Sequence, residues 1–138
     1  MKFIADLHIH SKYSRATSGQ MELEGLAKWA KLKGIDLVAS GDFTHPAWSA
    51  ELKKKLKPAE EGLYEFDGVK FILNVEISSI YKKNGKVRKI HNLVFAPSFE
   101  IVENINCELN KIGNLVSDGR PILGLDAEKL AEIVFNIS

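Results

Sequence analysis

Two adjacent residues, Asn84 and Gly85, constrain this chain more than any others. They separate two largely apolar runs, residues 71–81 (FILNVEISSIY) and 87–96 (VRKIHNLVFA). A two-residue hairpin loop of type I′ needs positive φ at both central positions, and Asn-Gly meets that need with little strain. The pair therefore predicts a β-hairpin in which Lys83 faces Lys86. The register then places Glu76 opposite Leu93 and Ser78 opposite His91. Alternation of side chains puts Leu73, Val75, Ile77, Ile90 and Val94 on one face, the core side. Glu76 and His91 share the other face as diagonal neighbours, with backbones about 7–8 Å apart. They read equally well as a solvated cross-strand pair, worth about 0.2–1 kcal/mol, or as two ligands of one site. The distinction depends on register, because a slip of one residue exchanges the faces.

Strands and helices alternate around this hairpin. Residues 3–10 read as a first strand. Residues 20–33 read as a helix, with Leu23, Leu26, Ala27 and Ala30 on one stripe and Gly34 as its stop. Residues 35–42 (IDLVASGD) form a second strand. A second helix runs over 46–57, with Pro46 at an early helical position and Pro58 ending it. Ser98 caps a third helix whose apolar side carries Phe99, Ile101, Val102, Ile105, Leu109 and Ile112. Residues 117–121 (SDGRP) are a loop, and Asp126 caps a last helix containing Leu130 and Ile133. The chain has 138 residues, 45% of them hydrophobic, which suits one domain with its own core. The alternation argues for an α/β fold with parallel strands and an inserted β-hairpin. Lys and Arg number 19 and Asp and Glu 18, a net charge of +1 that neither demands nor excludes a nucleic-acid partner. The one cysteine, Cys107, lies in a helical pattern and has no partner for an intrachain disulfide, which suits a reducing cytoplasm. No leader-like segment opens the chain, and no apolar stretch is long enough to span a membrane.

The chemistry begins at the end of the first strand, in ADLHIHSKYS (residues 5–14). Residues two apart on a strand share a face, so Asp6, His8 and His10 point one way. Two imidazoles so spaced can chelate one ion, although a single His-x-His is as readily a polar strand face. Asp42 follows Gly41 at the C-terminal end of the second strand, where α/β barrels gather reactive groups. It also reads as a turn or helix-entry residue. His45, just before Pro46, reads as a loop or capping residue. The chain has four histidines, and His8, His10 and His91 occupy positions compatible with a metal.

The ordered set DLHIHSKYS, SGDF, VEI and IHNLVF resembles the opening motifs of the polymerase and histidinol phosphatase (PHP) metal-dependent hydrolases. ADLHIHSKYSRATSGQM, GDFTHPAW and the later GRP resemble the endonuclease Q branch in particular, across essentially the whole chain. Helicase-like labels are common in that branch, but no phosphate-binding G-x-x-x-x-G-K-[ST] loop is present. The resemblance implies a distorted (β/α)7 barrel with a two- or three-metal site. His8 and His10 would hold the first ion, Glu76 would bridge to a second, and His91 would help bind it. Asp42 matches the aspartate of the family's T-D-H block and would be a metal ligand and, with Glu76, a catalytic residue. The block reads Gly41-Asp42-Phe43 here, and phenylalanine binds no metal. The family's later histidine and D-x-H ligands have no counterpart, since no histidine follows His91. The chain thus reads as a truncated PHP barrel lacking its final strands. Its expected cofactors are divalent ions, zinc or manganese foremost, because imidazole and carboxylate suit them better than magnesium. Complete relatives use such ions to hydrolyse phosphoester bonds. The implied substrate is DNA with deaminated bases, with Tyr13, Phe43 and Trp48 as candidates for stacking on a base or, more simply, for core packing. Three readings follow: an incomplete DNA endonuclease, a small-molecule phosphatase of the histidinol-phosphatase type, and a non-catalytic metal-binding remnant. A barrel without its last strands also implies a homo-oligomer that covers the open edge.

Overall fold

A computed structural model describes residues 1–138. The chain is mixed α/β, with a seven-stranded sheet and four helices. In chain order the elements are β1 (Ala5–Asp6), α1 (Leu23–Lys33), β2 (Leu37–Ala39), α2 (Pro46–Lys55), β3 (Lys57–Pro58), β4 (Tyr64–Phe66), β5 (Val69–Lys83), β6 (Lys86–Ala96), α3 (Phe99–Asn110), β7 (Ile122–Leu123) and α4 (Ala127–Ile137).

The 15-residue β5 is the spine of the sheet. Its first part pairs with β2 in parallel, at Val38↔Phe71, and with β4 antiparallel, at Tyr64↔Phe71. Further along it pairs with β6 from Leu73↔Ala96 to Lys83↔Lys86, and with β7 in parallel at Ser78↔Ile122 and Ser79↔Leu123. β1 lies at the sheet edge, parallel to β2. The Asn84-Gly85 turn has φ of 54° and 71°, and Glu76↔Leu93 and Ser78↔His91 pair as its register predicts. A second turn of the same kind joins β4 to β5. There Asp67 and Gly68 take φ of 49° and 78°, and Phe66 pairs with Val69. Asp-Gly is the same kind of sequence signal as Asn-Gly, but the first run it closes, β4, has three residues and shows no periodicity.

The helices pack on the face of β5 that carries its alternating apolar residues. Leu23 and Ala27 of α1, Trp48 and Leu52 of α2, and Val102, Ile105 and Leu109 of α3 join Phe71, Leu73, Val75 and Ile77 in one core, each at 0% exposure. Gly34 ends α1 in the left-handed region, at φ 70°. The Ser98 hydroxyl caps α3 by accepting from Ile101 N, and the Asp126 carboxylate caps α4 by accepting from Lys129 N.

The structure departs from the sequence expectations in several places; the first helix begins at Leu23 rather than residue 20, and Ile112 lies past the end of α3 at Asn110 and is exposed. The first strand forms ladder pairs only at Ala5 and Asp6, because β2 is its one partner and is itself short. The second strand stops at Ala39, where the chain turns into the Gly41-Asp42 bend. Helix α2 ends at Lys55 rather than Lys57, since Lys57 precedes Pro58 and a residue before proline disfavours helical backbone. Ile90, expected in the core, is 38% exposed because the outer part of the hairpin extends past the helices that cover Leu73, Val75 and Ile77. No helix is long and apolar enough to cross a membrane.

Candidate metal centre

The site lies where β1 and β2 leave the sheet alongside β5. Asn74 ties the two exits together: its Oδ1 accepts from Gly41 N at 2.7 Å and its Nδ2 donates to Leu7 O at 3.0 Å. Gly41 has φ 66°, and a Cβ there would lie 2.7 Å from the Ile9 carbonyl oxygen, so only glycine permits this approach. Asp42 follows at φ 51°, a left-handed conformation that aspartate tolerates better than most residues but at some cost.

The strained backbone aims Asp42 inward, where it is fully buried. Its Oδ2 accepts from Ser11 N at 2.6 Å, Ser11 Oγ at 2.6 Å and Ser14 Oγ at 2.8 Å. Its Oδ1 lies 3.1 Å from His10 Nδ1. Burial pushes the Asp42 carboxyl up, but the hydrogen bonds from His10, Ser11 and Ser14 together outweigh it and hold the group below its ordinary value. The same Asp42 hydrogen bond is the main reason that the His10 imidazole is raised.

Glu76 is the centre of the constellation and is 3% exposed. His8 Nε2 and His10 Nε2 each lie 2.8 Å from its Oε2. His91 Nδ1 lies 2.6 Å from its Oε1, and Arg120 Nη1 is 4.0 Å from that same oxygen. Burial again pushes the carboxyl up. The His8 hydrogen bond, followed by the charges of His8, His10 and Arg120, reverses this and leaves Glu76 lowered.

This donor set fits a divalent metal. The ligand atoms of His8, His10 and Glu76 lie within 4.8 Å of one another. Bonds near 2.0–2.1 Å in tetrahedral geometry separate donors by about 3.4 Å, so the set needs only a small spreading to accept an ion. The bonding of His10 points the same way. Neutral His10 has one proton for two carboxylates, so when it donates to Asp42 its Nε2 lone pair is free to meet a cation beside Glu76. A histidine held by a buried carboxylate on one nitrogen and offering the other is the usual outer-shell arrangement of metal ligands.

His8, His10, Glu76 and His91 are therefore brought together, with Asp42 behind His10. Asp6 does not join them: its Oδ1 accepts from His8 N at 3.3 Å, and the side chain borders a recess beside α1. His45 occupies the N-cap position of α2 and stacks on Tyr13 at 4.4 Å between ring centroids. Phe43 and Trp48 are fully buried, and Trp48 Nε1 donates to the Ser40 and Gly41 carbonyls, so both serve the core. No sequence pattern marks Arg120, Ser11, Ser14 or Asn74. The pairing of Gly41 with Asp42 was the one local signal of a strained bend. Beyond the site, the hairpin carries Lys82, Lys83, Lys86, Arg88 and Lys89, with no acidic residue between Glu76 and Glu100. None of the five is in an ion pair, whereas most other lysines that pair do so with Glu or Asp on neighbouring elements.

No family model matches the sequence. An uncharacterized protein of Methanocaldococcus jannaschii is 33% identical over 133 residues, which is 96% of this chain and 15% of that protein. The crystal structure of a lesion-specific endonuclease from Pyrococcus furiosus superimposes with a TM-score of 0.86 at 38% identity, covering 98% of this chain and 32% of that one. Endonuclease Q in complex with a 27-mer duplex substrate, an abasic lesion at its active site, superimposes with a TM-score of 0.85 at 38% identity over 98% of this chain and 33% of that one. The chain thus spans about a third of these endonucleases and a smaller part of the Methanocaldococcus protein. Over nearly its whole length, it has the fold of a segment of endonuclease Q.

Proposed function

We propose that this chain is the metal-binding portion of a DNA-repair endonuclease of the endonuclease Q type, built on part of a PHP-type barrel. The observation that carries the reading is Glu76, buried with two imidazoles at one oxygen and a third at the other. His8, His10 and Glu76 Oε2 hold one divalent ion, zinc or manganese. Glu76 Oε1 and His91 face a second. Asp42 acts through His10, since its four contacts occupy both oxygens; it positions a ligand rather than serving as one. When bound, such ions acidify water and offset charge on a phosphoryl oxygen. The residues themselves fix the imidazole orientations and hold a carboxylate ionised in a buried place.

The openness of the centre favours a polymer over a small enclosed phosphate ester, because the His8 and His91 side chains are 53% and 51% exposed. The likeness to a duplex-bound endonuclease, and the unpaired cations on the hairpin, favour DNA. The test is metal binding followed by calorimetry with manganese and zinc. The wild-type protein takes up at least one ion per chain, and the His8→Ala, His10→Ala variant weakens that uptake by more than tenfold while keeping its fold. A wild-type protein that binds neither ion removes the basis of the proposal.

A further inference from the structure

The loop of residues 117–121 packs against the carboxylate that lies behind the candidate metal centre. Gly119 lies directly on the buried Asp42: a Cβ on it would meet Asp42 Oδ2 at 2.3 Å, Asp42 Cγ at 2.5 Å and Ser14 Oγ at 2.7 Å. The loop is held on both sides. Gly119 N donates to Tyr13 O at 3.1 Å, and Ser78 N donates to Pro121 O at 3.0 Å. Asp118 Oδ1 accepts from Arg120 N at 3.0 Å, while its Oδ2 lies 3.4 Å from Arg15 Nε. The segment carrying Arg15 is held as well. Thr17 Oγ1 donates to the Ser11 and Ser14 carbonyls at 2.8 Å each, and Ala16 takes a left-handed φ of 59°.

This backbone delivers two guanidinium groups to one small recess, lined by His10, Ser14, Arg15, Asp118 and Arg120. The Arg120 side chain makes no hydrogen bond within the protein; its nearest charged contact is the 4.0 Å approach to Glu76 Oε1. A guanidinium has five donors in a planar fork suited to phosphate oxygens. A loop packed on a buried carboxylate, bearing an arginine with those donors unused and directed at a metal-compatible centre, is built to meet an anion. Asp118 accounts for only part of Arg15, whose side chain is 83% exposed.

We propose that Arg120, with Arg15 at the rim, forms a binding site for phosphate oxygens beside the His8–His10–Glu76 centre. For its substrate, a phosphoester, this rests on the function proposed above; the site itself recognises a phosphoryl group whether or not metal is bound. Arg120 binds the group through its fork, Arg15 adds charge at the mouth, and Gly119 is the residue that lets the loop come close enough.

The test is a titration of inorganic phosphate into the metal-free protein, followed by amide chemical shifts of residues 117–121, with manganese binding measured separately. In the wild-type protein the shifts saturate. Arg120→Ala weakens phosphate affinity by at least tenfold, Arg120→Lys recovers part of the loss, and Arg15→Ala weakens it about threefold, since a rim charge on a screened surface contributes less than an oriented fork. Manganese affinity in Arg120→Ala stays within about twofold of wild type. A wild-type protein without saturable shifts, or an Arg120→Ala variant with unchanged phosphate affinity, overturns the proposal. So does an Arg120→Lys variant as weak as Arg120→Ala in a protein that has lost manganese binding, for then Arg120 merely supports Glu76. If phosphate binds through Arg120 but manganese does not bind at all, this site stands and the metal reading above falls.

Discussion

Glu76 collects three imidazoles and an arginine, yet it is Asp42 that determines how one of those imidazoles is offered. A carboxylate with both oxygens engaged and no solvent contact has few ways to relax. Replacing it by asparagine puts an amide NH2 where Ser11 N, Ser11 Oγ, Ser14 Oγ or His10 requires an acceptor. Lost hydrogen bonds to a buried charge cost about 1.5–3 kcal/mol, so the metal-free Asp42→Asn variant should lose about that much unfolding free energy and unfold at lower urea. The pH dependence follows from two shifts of opposite direction. Asp42 is lowered by its hydrogen bonds, so its contribution is fully present above the ordinary aspartate value and is lost as pH falls through the folded value. His10 is raised, chiefly by Asp42, so its contribution is fully present below the ordinary histidine value and is lost as pH rises through the folded one. The gap between wild type and variant is then widest between about pH 4 and pH 6.5 and narrows on both sides. Urea unfolding of both proteins in chelator across that range checks it, and a gap that is flat with pH contradicts the coupling. His8 and His10 were legible in the sequence from their i, i+2 spacing, although both lie past the β1 ladder, which ends at Asp6. Ser11, Ser14 and Arg120 were not, because their roles come from a tight loop and from a chain reversal more than a hundred residues away, which no local period encodes.

At the scale of the element, the β5–β6 hairpin is both scaffold and surface. Its register was legible because Asn84-Gly85 admits one turn geometry, and that register is what puts Glu76 and His91 on one face. The strands β3, β4 and β7 were not legible: each has two or three residues, too few to show a period, and β7 is fixed only by pairing with the distant β5. Pairing also sorts the cations. Lys89 pairs with Ile80 and Val87 with Lys82, so Lys82 and Lys89 share the Glu76 face. Arg88, Lys83 and Lys86 occupy the opposite face. Residues two apart on a strand are about 6.6 Å apart, so Lys89 stands one such step beyond His91 on the way to the tip. A duplex placed on the centre would run along this line. Each phosphate contact contributes about 0.9 to the slope of log K against log salt on B-form DNA. A Lys82→Gln, Lys89→Gln variant should therefore bind an abasic-site duplex more weakly at low salt, with a slope shallower by about 1.8. Fluorescence anisotropy over a range of salt measures this; an unchanged slope removes the hairpin from the DNA surface.

At the scale of the molecule, the same centre stands beside surface that a closed core would hide. Phe3, Ile4 and Leu7 flank the edge strand β1, Leu93 and Phe95 lie on the Glu76 face of β6, and all are exposed. A sheet edge with apolar neighbours invites pairing with another chain, and we expect the 138 residues on their own to form a homodimer or larger assembly. Sedimentation velocity at micromolar concentration checks this, and a single monomeric species would contradict it. Closure of a barrel could not be read from the chain, because β-alternation specifies faces and registers but not how far a sheet curls. What was legible is a set of candidate ligands, and under the proposed function their number would govern activity. In the proposed centre three donor atoms would serve one ion, while a second would have His91 and one oxygen of the carboxylate already shared. Two-metal hydrolysis depends on both ions being fixed, since they carry most of the charge stabilisation. A loosely held second ion shifts the attacking water, and a displacement near 1 Å costs on the order of a hundredfold in rate. The protein alone should therefore nick duplexes containing uracil, hypoxanthine or an abasic site little faster than its His8→Ala, His10→Ala variant, even with manganese or zinc added. Activity would rise only when further histidine or aspartate ligands reach the centre from outside these residues. A nicking assay with both proteins decides the matter: rapid wild-type cleavage, abolished in the double variant, would mean that the ligands present already make a complete site.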